Sequence, residues 1–340
     1  MLKIAIIGTG FIGNTHAQAY KNSTKLKLAA IVDNKQQACK AAAEKYDCNY
    51  YEDAEEMMDQ EDVDIVDICL PTFLHEKYVT MAARKGRHII CEKPAALTFD
   101  SMERMMAAVE AAGVKFMVAQ VVRFWPEYVK IKELYDRGEF GKIKMIYANR
   151  LAQHPNWTSW HKDPEKSGGA LFDLHLHDID FMVSMLGKVK TVYAVGWRTD
   201  TKCWNHIVTS LIFESGEQAV IEGSYGMPEG YPFTTNFRVV GEDAGIEYLM
   251  KAGLNLEKIE AASRSLIYFD QKNQPQHVYV DTAEEPYQAE LEYFANCIEN
   301  NRAIEKVSLE SSREVLKVVL AIQQSLEMNA VVNFEGKMSD

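Results

Sequence analysis

The stretch that decides the fold is LKIAIIGTGFIG, from Leu2 to Gly13. It begins with a short, nearly continuous apolar run, which is typical of a strand buried on both faces of a parallel sheet. Gly8, Gly10 and Gly13 follow with the spacing G-x-G-x-x-G. In this motif the first glycine permits a tight turn, the second lets the backbone approach a pyrophosphate, and the third lets helix and strand pack closely. The stretch therefore predicts a strand, a turn and a helix start whose free amides can bind phosphate.

A second apolar strand, Leu28 to Val32, ends at Asp33, twenty residues beyond Gly13. An acidic side chain at about this distance accepts hydrogen bonds from the ribose hydroxyls of an adenosine. Its carboxylate would repel a 2′-phosphate, so the sequence favours NAD(H) over NADP(H), although Lys35 is close enough in the sequence to weaken that preference. A purely structural alternative stays open, in which the glycines only form turns and Asp33 caps the next helix.

The composition limits the classes of function. With 340 residues, 47% of them hydrophobic and 25% charged, the chain can form about two domains with sizeable cores. A net charge of -12 argues against nucleic-acid and anionic-membrane partners. No apolar run approaches the roughly 20 residues that span a bilayer, and the first strand leaves no room for a signal peptide before it. Together with six scattered cysteines and no C-x-x-C pair, these features predict a cytoplasmic protein.

The pattern of elements changes part-way along the chain. In residues 1–121, apolar strand-like runs alternate with helical segments of about 10 to 15 residues, which predicts a doubly wound parallel α/β sheet. Beyond residue 142, longer strand-like runs are separated by turn residues such as Ser215 and Gly216, and two helices close the chain. This pattern predicts an α+β domain over 122–340, with a large, mainly antiparallel sheet that could offer a face for self-association.

Polar residues follow two strands of the predicted parallel sheet. Ligands of such sheets bind beyond the carboxyl ends of the strands, where the glycine turn also lies. Pro71 and Thr72 could line a nicotinamide ribose there, and His75 could either join them or simply start a helix. Glu92 and Lys93 follow the next strand. A lysine ammonium at this position can donate to a substrate hydroxyl and stabilise an alkoxide, although a surface lysine paired with Glu92 is the simpler alternative.

The helix predicted over 168–181, GGALFDLHLHDIDF, carries an unusual set of charged residues. At about 100° per residue, Asp173, His177 and Asp180 share one face of an α-helix. A histidine with carboxylates one turn before and after it is held in one tautomer. Such a histidine can accept a proton near neutral pH, as a general base must.

Two other interpretations of this helix stay open. Asp173, His175, His177, Asp178 and His161 are residue types that bind zinc or iron. However, His175 and His177 diverge by about 200° on a helix and cannot both face one ion, so no metal is predicted. The polar face could also be satisfied by neighbouring residues without any chemistry.

These segments together resemble the Gfo/Idh/MocA oxidoreductase family, named for glucose–fructose oxidoreductase and inositol dehydrogenase. The resemblance extends over nearly the whole chain. It rests on GTGFIG with His16, then CLPTFLH, CEKP, VVRF and SGGALFDLHLHDID, in that order. It implies a Rossmann domain followed by an open-faced sheet domain, a nicotinamide cofactor held in the cleft, and homodimers or homotetramers formed through the sheet.

The resemblance also implies residue roles. The catalytic lysine of the family falls on Lys93, and its D-x-x-x-H pair falls on Asp173 and His177. In the implied mechanism His177 removes the proton of a secondary alcohol while hydride passes to NAD⁺, Lys93 polarises the oxygen, and Asp173 holds the geometry. Two positions depart from the family pattern. Gln120 stands where many members have histidine or asparagine, and His175 stands where a small residue is common, so both are expected to contact substrate.

The loop over 153–162, QHPNWTSWHK, is expected to face the same cleft. Its tryptophans, Trp157 and Trp160, can stack on a sugar ring, and His161 can bind ring hydroxyls, which fits a pyranose or a cyclitol. Alternatively, the two tryptophans pack in a domain interface.

The sequence thus predicts an NAD(H)-dependent oxidoreductase that interconverts a secondary alcohol and a ketone on a sugar, glycoside or inositol. Two alternatives are an enzyme that retains NAD and cleaves a glycosidic bond through transient oxidation, and a non-catalytic dinucleotide-sensing protein. The predicted cofactor contacts are Gly8, Gly10, Phe11, Ile12, Gly13, Asp33, Leu70, Pro71, Thr72, His75, Glu92, Lys93 and Gln120. The predicted substrate contacts are Lys93, Arg123, Trp157, Trp160, His161, Asp173 and His177.

Overall fold

The computed structural model describes residues 1–154, 160–253, 262–272, 274–282 and 285–334. The chain divides into two compact units. The first contains Met1–Trp125 and Thr282–Arg313, and the second contains Pro126–Asp281 and Glu314–Asp340. Within the described ranges, no helix is both long enough and apolar enough to cross a bilayer.

The first unit is a parallel sheet with helices between its strands. The strands are β1 (Leu2–Ile7), β2 (Leu26–Val32), β3 (Asn49–Tyr51), β4 (Ile65–Ile68), β5 (His88–Glu92) and β6 (Phe116–Ala119). The helices are α1 (Phe11–Asn22), α2 (Gln36–Tyr46), α3 (Ala54–Gln60), α4 (His75–Arg84) and α5 (Phe99–Ala112). The strand order is β3-β2-β1-β4-β5-β6, and every neighbouring pair is parallel. The predicted doubly wound sheet is confirmed, and β3 is an additional short edge strand.

Helix α9 (Pro286–Glu299) belongs to this first unit although it follows the second sheet in the chain. Its Leu291 and Phe294 lie in the same buried core as Ala17 and Tyr20 of α1. The structure therefore differs from the single second domain expected over 122–340, because the apolar face of α9 is buried against α1. The change of unit between Trp125 and Pro126 lies close to the expected boundary.

The second unit contains a larger sheet and three consecutive helical segments. It begins with α6 (Pro126–Asp136) and β7 (Ile143–Leu151), followed by α7 (Pro164–Ser167), a π-helical segment (Leu171–His175) and α8 (Leu176–Leu186). The later strands are β8 (Val189–Arg198), β9 (Trp204–Phe213), β10 (Gln218–Ser224), β11 (Thr234–Gly241), β12 (Ala244–Lys251), β13 (Ser263–Asp270) and β14 (Gln276–His277). The last helix, α10 (Leu309–Met328), leads to β15 (Val332–Asn333).

The nine strands of this sheet have the order β14-β13-β12-β11-β7-β10-β9-β8-β15. Strands β7 and β10 are parallel, and the other neighbouring pairs are antiparallel. The predicted large, mainly antiparallel sheet is confirmed. Strand β13 was not predicted, because most of its residues are at least partly exposed and give a weak apolar pattern.

A buried ion pair joins this sheet to α8. Arg150 of β7 donates from Nε to Asp178 Oδ2 over 2.9 Å, and both side chains are almost fully buried. Arg150 also donates to the Tyr128 hydroxyl over 3.1 Å, and Tyr128 packs edge-on against Phe181 of α8. Removing one partner of such a pair leaves an uncompensated buried charge, which costs about 3–5 kcal/mol. The start of α8 is therefore firmly attached to β7.

Candidate active site

The predicted cofactor contacts all lie at one edge of the first unit's sheet. The glycine turn follows β1, Asp33 follows β2, and the segment 70–75 follows β4. Glu92 ends β5, Lys93 comes directly after it, and Gln120 follows β6. Because the strands are parallel, their carboxyl ends share one edge of the sheet, which is where ligands of such sheets bind.

The glycine turn has the close contacts that the motif requires. Gly8 has φ +108°, and a Cβ added there would lie 2.4 Å from the Cys69 carbonyl oxygen. A Cβ on Gly13 would lie 2.0 Å from the Gly8 carbonyl oxygen. A Cβ on Gly10 would meet no atom within 4 Å in the described part of the chain. Gly8 and Gly13 thus allow close packing, and Gly10, the N-cap of α1, leaves open space beside the first helical amides, which fits a pyrophosphate.

Asp33 is hydrogen-bonded to this turn. Its Oδ2 accepts from the Thr9 amide over 2.8 Å and from the Thr9 hydroxyl over 2.6 Å, and its Oδ1 accepts from the Lys35 amide over 2.9 Å. The carboxylate therefore fixes the glycine turn and also begins the segment that leads into α2. Thr9 was missed from the sequence, where it is only the variable residue between two glycines.

Lys93 follows a buried network of charged groups. Its amide donates to Glu92 Oε2 over 3.1 Å. His16 Nε2 lies 3.2 Å from Glu92 Oε1, and His16 Nδ1 lies 2.8 Å from Asp67 Oδ2. Tyr20 donates to the same Asp67 oxygen over 2.8 Å. Since His16 and Tyr20 are both on α1, the network connects the helix of the glycine turn to the segment that carries Lys93.

The protonation of this network follows from its surroundings. Burial alone would lower the pKa of His16, but the neighbouring Cys69 and Asp67 outweigh it and hold that pKa well above its usual value. Burial, and then the charge of Glu92, raises the pKa of Glu290 well above its usual value. A protonated His16 between two carboxylates and a neutral Glu290 limit the uncompensated charge in the interior.

The polar side chains of two predicted site residues, His75 and Arg123, are hydrogen-bonded within the protein itself. His75 is buried, with Nε2 2.7 Å from the Leu70 carbonyl oxygen and Nδ1 3.0 Å from that of Pro94. Arg123 is also buried, and its guanidinium donates to the Lys306 carbonyl and to the Ser311 hydroxyl, each over 2.8 Å. These bonds connect segments within the first unit, including α4 and the first turn of α10, so neither residue is among the ligand contacts proposed below.

In the second unit, Asp173 is held by two side chains. Its Oδ2 accepts from the Tyr225 hydroxyl over 2.5 Å and lies 3.6 Å from His161 Nε2. Trp160 stacks on His161, with ring centroids 3.9 Å apart. Trp157 lies outside the described residues. Tyr225 was missed as a site residue, although it is the last residue of a strand predicted over 218–225; in the structure it directly follows β10.

The helix that carries the pair differs from the one predicted. Asp173 lies in the π-helical segment and His177 in the first turn of α8. Both are partly exposed, whereas Asp180 is fully buried. Asp180 therefore does not share the partial exposure of Asp173 and His177, although it follows His177 by only three residues within α8.

The side chains of His175 and Asp178 have separate buried partners. His175 Nε2 lies 2.8 Å from the Thr209 hydroxyl, and Asp178 pairs with Arg150. Neither side chain converges on Asp173, so the metal arrangement left open by the sequence is not assembled from these residues. The expectation that His175 contacts substrate was wrong, since its side chain is fully buried.

Comparisons with known proteins agree with this architecture. Residues 2–120 match the sequence model of the oxidoreductase family with an NAD-binding Rossmann fold, and residues 128–247 match that of the GFO/IDH/MocA C-terminal domain. The chain belongs to the GFO/IDH/MocA oxidoreductase family. Its first unit is accordingly an NAD-binding Rossmann domain, and the protein is an NAD(P)-dependent oxidoreductase.

Members of the family that resemble this chain differ in their substrates. D-Xylose 1-dehydrogenase (NADP⁺) from Haloferax volcanii is 28% identical, with 98% of this chain and 100% of the relative covered. Myo-inositol 2-dehydrogenase from Thermotoga maritima is 26% identical, with 98% of this chain and 99% of the relative covered. The structure of levoglucosan dehydrogenase with NADH and levoglucosan has a TM-score of 0.83 at 23% identity, covers 98% of this chain and 100% of that chain, and shows the shared fold.

We expect the His16 network to make stability depend on pH. A histidine whose pKa is raised by folding stabilises the protein fully below its unfolded pKa of about 6.5, and this stabilisation is lost as the pH rises through the folded pKa. His16→Gln should remove this pH-dependent loss of stability. The loss amounts to about 1.4 kcal/mol of unfolding free energy for each unit by which folding raises the pKa of His16. Urea unfolding between mildly acidic and alkaline pH measures the difference between wild type and variant.

The matched control is His277→Gln, which replaces an exposed histidine on β14. Its free energy of unfolding should follow the wild-type curve. A His16→Gln curve parallel to that of the wild type would contradict a charged His16 in the folded protein.

Proposed function

We propose that this protein is an NAD(H)-dependent dehydrogenase that interconverts a secondary alcohol and a ketone on a sugar, glycoside or inositol. The observation that carries the proposal is the placement of Asp173 between Tyr225 and His161, four residues before His177. An oriented carboxylate close to a partly exposed histidine suits general acid–base chemistry. Family membership supplies the reaction class, and relatives named for xylose and inositol support the substrate class.

In the proposed oxidation, the chain's own residues handle the hydroxyl proton and the oxygen. His177 accepts the proton of the substrate hydroxyl, and Lys93 donates a hydrogen bond to the same oxygen, which stabilises the negative charge that develops there. Asp173 holds the geometry around His177. NAD⁺, when bound, supplies the hydride acceptor. In the reverse direction His177 returns the proton to the alkoxide formed from the ketone.

The surroundings of Asp173 favour a ring-shaped, hydroxyl-rich substrate. Trp160 and His161 form a stacked pair of flat rings, and His161 approaches Asp173. Aromatic faces and imidazole or carboxylate groups are the contacts that bind the apolar faces and the hydroxyls of sugars and cyclitols. We propose Trp160 and His161 as substrate contacts on this ground.

We expect NADH to form when the protein is given NAD⁺ and a suitable inositol, aldose, sugar acid or glycoside. Lys93→Ala and His177→Ala should each lower kcat about 10²- to 10⁴-fold, because each removes a proton-transfer or oxygen-stabilising group. NADH absorbance measures the rate. His277→Ala, at an exposed position on β14, is the matched control and should retain wild-type activity.

Three results would distinguish the alternatives. Product formation without NADH release would favour transient oxidation with retained cofactor. Tight NAD⁺ binding without any product, across the whole panel, would contradict the proposed dehydrogenase. Full activity of both Lys93→Ala and His177→Ala would show that these residues do not act as proposed.

The position of Asp33 supports a preference for NAD(H). Its carboxylate lies against the glycine turn through Thr9, where it would repel a 2′-phosphate. We expect the wild type to bind NAD⁺ more tightly than NADP⁺, and Asp33→Asn to reduce that preference at least about tenfold, which corresponds to roughly 1.4 kcal/mol. Calorimetric titration with both cofactors measures it.

Thr9→Val separates the charge of Asp33 from its role in the turn. This variant removes the hydroxyl that donates to Asp33 and keeps the carboxylate. It should weaken binding of both cofactors to a similar extent. Tighter binding of NADP⁺ than NAD⁺ by the wild type would contradict the assignment.

We further propose that the protein forms a homodimer or homotetramer through the outer face of the nine-stranded sheet. Alternate residues of β8, Tyr193, Val195 and Trp197, lie on one face of that strand and are 39%, 44% and 52% exposed. Ile212 of β9 and Val240 of β11 are also exposed. Contiguous exposed apolar residues on one sheet face are typical of a protein interface, and self-association is the simplest way to cover them.

Charge on this face should dissociate the assembly. Val195→Glu combined with Ile212→Glu should convert the assembly to a monomer in light scattering coupled to gel filtration, because two buried carboxylates per subunit would be desolvated. Tyr50→Glu, at an exposed tyrosine of the first unit, is the control and should leave the mass unchanged. A monomeric wild type would contradict the proposal.

A further inference from the structure

His175 fits into a space on the sheet that a glycine provides. Its ring is fully buried, with Nε2 2.8 Å from the hydroxyl of Thr209 on β9. On the neighbouring strand β10, a Cβ added to Gly223 would lie 2.5 Å from His175 Nδ1, 2.9 Å from its Cβ and 3.0 Å from its Cγ. The contact involves the base of the side chain as well as the ring, so rotation of the ring alone could not relieve it.

The sheet at Gly223 is held on both sides. Gly223 is paired with Arg150 on β7 and with Ile207 on β9. A central strand with two partners resists displacement, whereas a π-helical turn is a rare local irregularity within a helix. If atoms at this contact must move apart, the π-helical segment moves and the strand does not.

The same segment carries the proposed acid–base pair. Asp173 precedes His175 by two residues and is bonded to Tyr225, two residues beyond Gly223. His177 follows His175 by two residues and is followed by Asp178, which is paired with Arg150. Two buried anchors, His175 against β9 and β10 and Asp178 against β7, therefore stand on either side of His177.

We propose that His175, seated against Gly223, is a positioning residue that sets the π-helical segment and thereby the orientation of Asp173 and His177. This proposal rests on the proposed function for its effect on turnover. His175 is not itself an acid or base, because burial lowers its pKa to about 3 and keeps it neutral under working conditions.

The test is a cycle of Gly223→Ala, His175→Ala and the double variant. Gly223→Ala should lower kcat about 100-fold, the loss expected when catalytic groups are displaced by about 1 Å, while the affinity for NAD⁺ is unchanged. The double variant should recover part of that loss, because it removes the contacts with Nδ1 at 2.5 Å and Cγ at 3.0 Å and leaves only the 2.9 Å approach to the Cβ at position 175. Such recovery is the coupling that residues in direct contact show.

A readout other than activity separates this proposal from the proposed function. In protein labelled at histidine, the NMR signal of His177, assigned with His177→Asn, should shift in Gly223→Ala and return part of the way to its wild-type position in the double variant. Gly245→Ala on β12, where a Cβ would approach the Val239 carbonyl oxygen at 3.0 Å, is the matched control and should leave the signal in place. If the wild type turns over no substrate, the proposed function fails and this signal alone decides the positioning.

Each outcome has a consequence for the proposal. A double variant no better than Gly223→Ala, in kcat and in the His177 signal, would overturn it, and so would a Gly223→Ala variant that matches the wild type in both. If Gly223→Ala alone does not fold and the double variant does, the steric contact is established. His175→Ala must then lower kcat without changing NAD⁺ affinity, or the positioning role is rejected.

Discussion

The close approach of β1, α1 and β4 at Gly8 and Gly13 is the constraint on which the first unit depends. A side chain at either position would overlap a main-chain carbonyl, so the approach exists only because neither residue has a Cβ. This approach packs α1 close to the sheet, where His16 can reach Asp67 and Glu92. The glycine turn and the segment that leads to Lys93 are therefore parts of one packed arrangement, and the buried charges can be paired only because the helix is so close.

In the second unit, side-chain contacts with the sheet hold the proposed site residues in place. The proposed acid–base residues lie where a π-helical segment passes into an α-helix, and this junction is attached to three adjacent strands, through Arg150 on β7, Gly223 on β10 and Thr209 on β9. Packed side chains with satisfied hydrogen bonds hold a reacting group more accurately than a loop does. The buried contacts thus lie next to the proposed acid–base residues, and the partly exposed Asp173 and His177 are separated by three buried residues.

Local sequence patterns predicted much of this architecture and little of the detail at the site. Apolar runs and turn residues indicated both sheets, because the burial of each strand is reflected in the apolar pattern of its own sequence. The return of α9 to α1 was not predictable in this way, since it joins segments far apart in the chain. The π-helical segment was missed because the periodicity argument assumes 3.6 residues per turn. Tyr225, Thr9 and Gly223 were missed because their importance comes from partners on other elements, and Arg123 and His75 were selected although their buried contacts lie within the fold.

The distribution of anchors also explains how one framework can serve different substrates. The relatives are named for xylose and for inositol, and a shared fold does not determine the substrate of each member. In this chain, His177 lies between buried anchors, whereas Trp160 and His161 belong to a short turn and are only partly buried. Substitution in such a turn costs little stability, but substitution at Gly223 or Arg150 would disturb the contacts that hold the proposed acid–base pair. On the proposed function, the core therefore constrains the acid–base pair, whereas the proposed substrate contacts lie in a segment where substitution disturbs the core less.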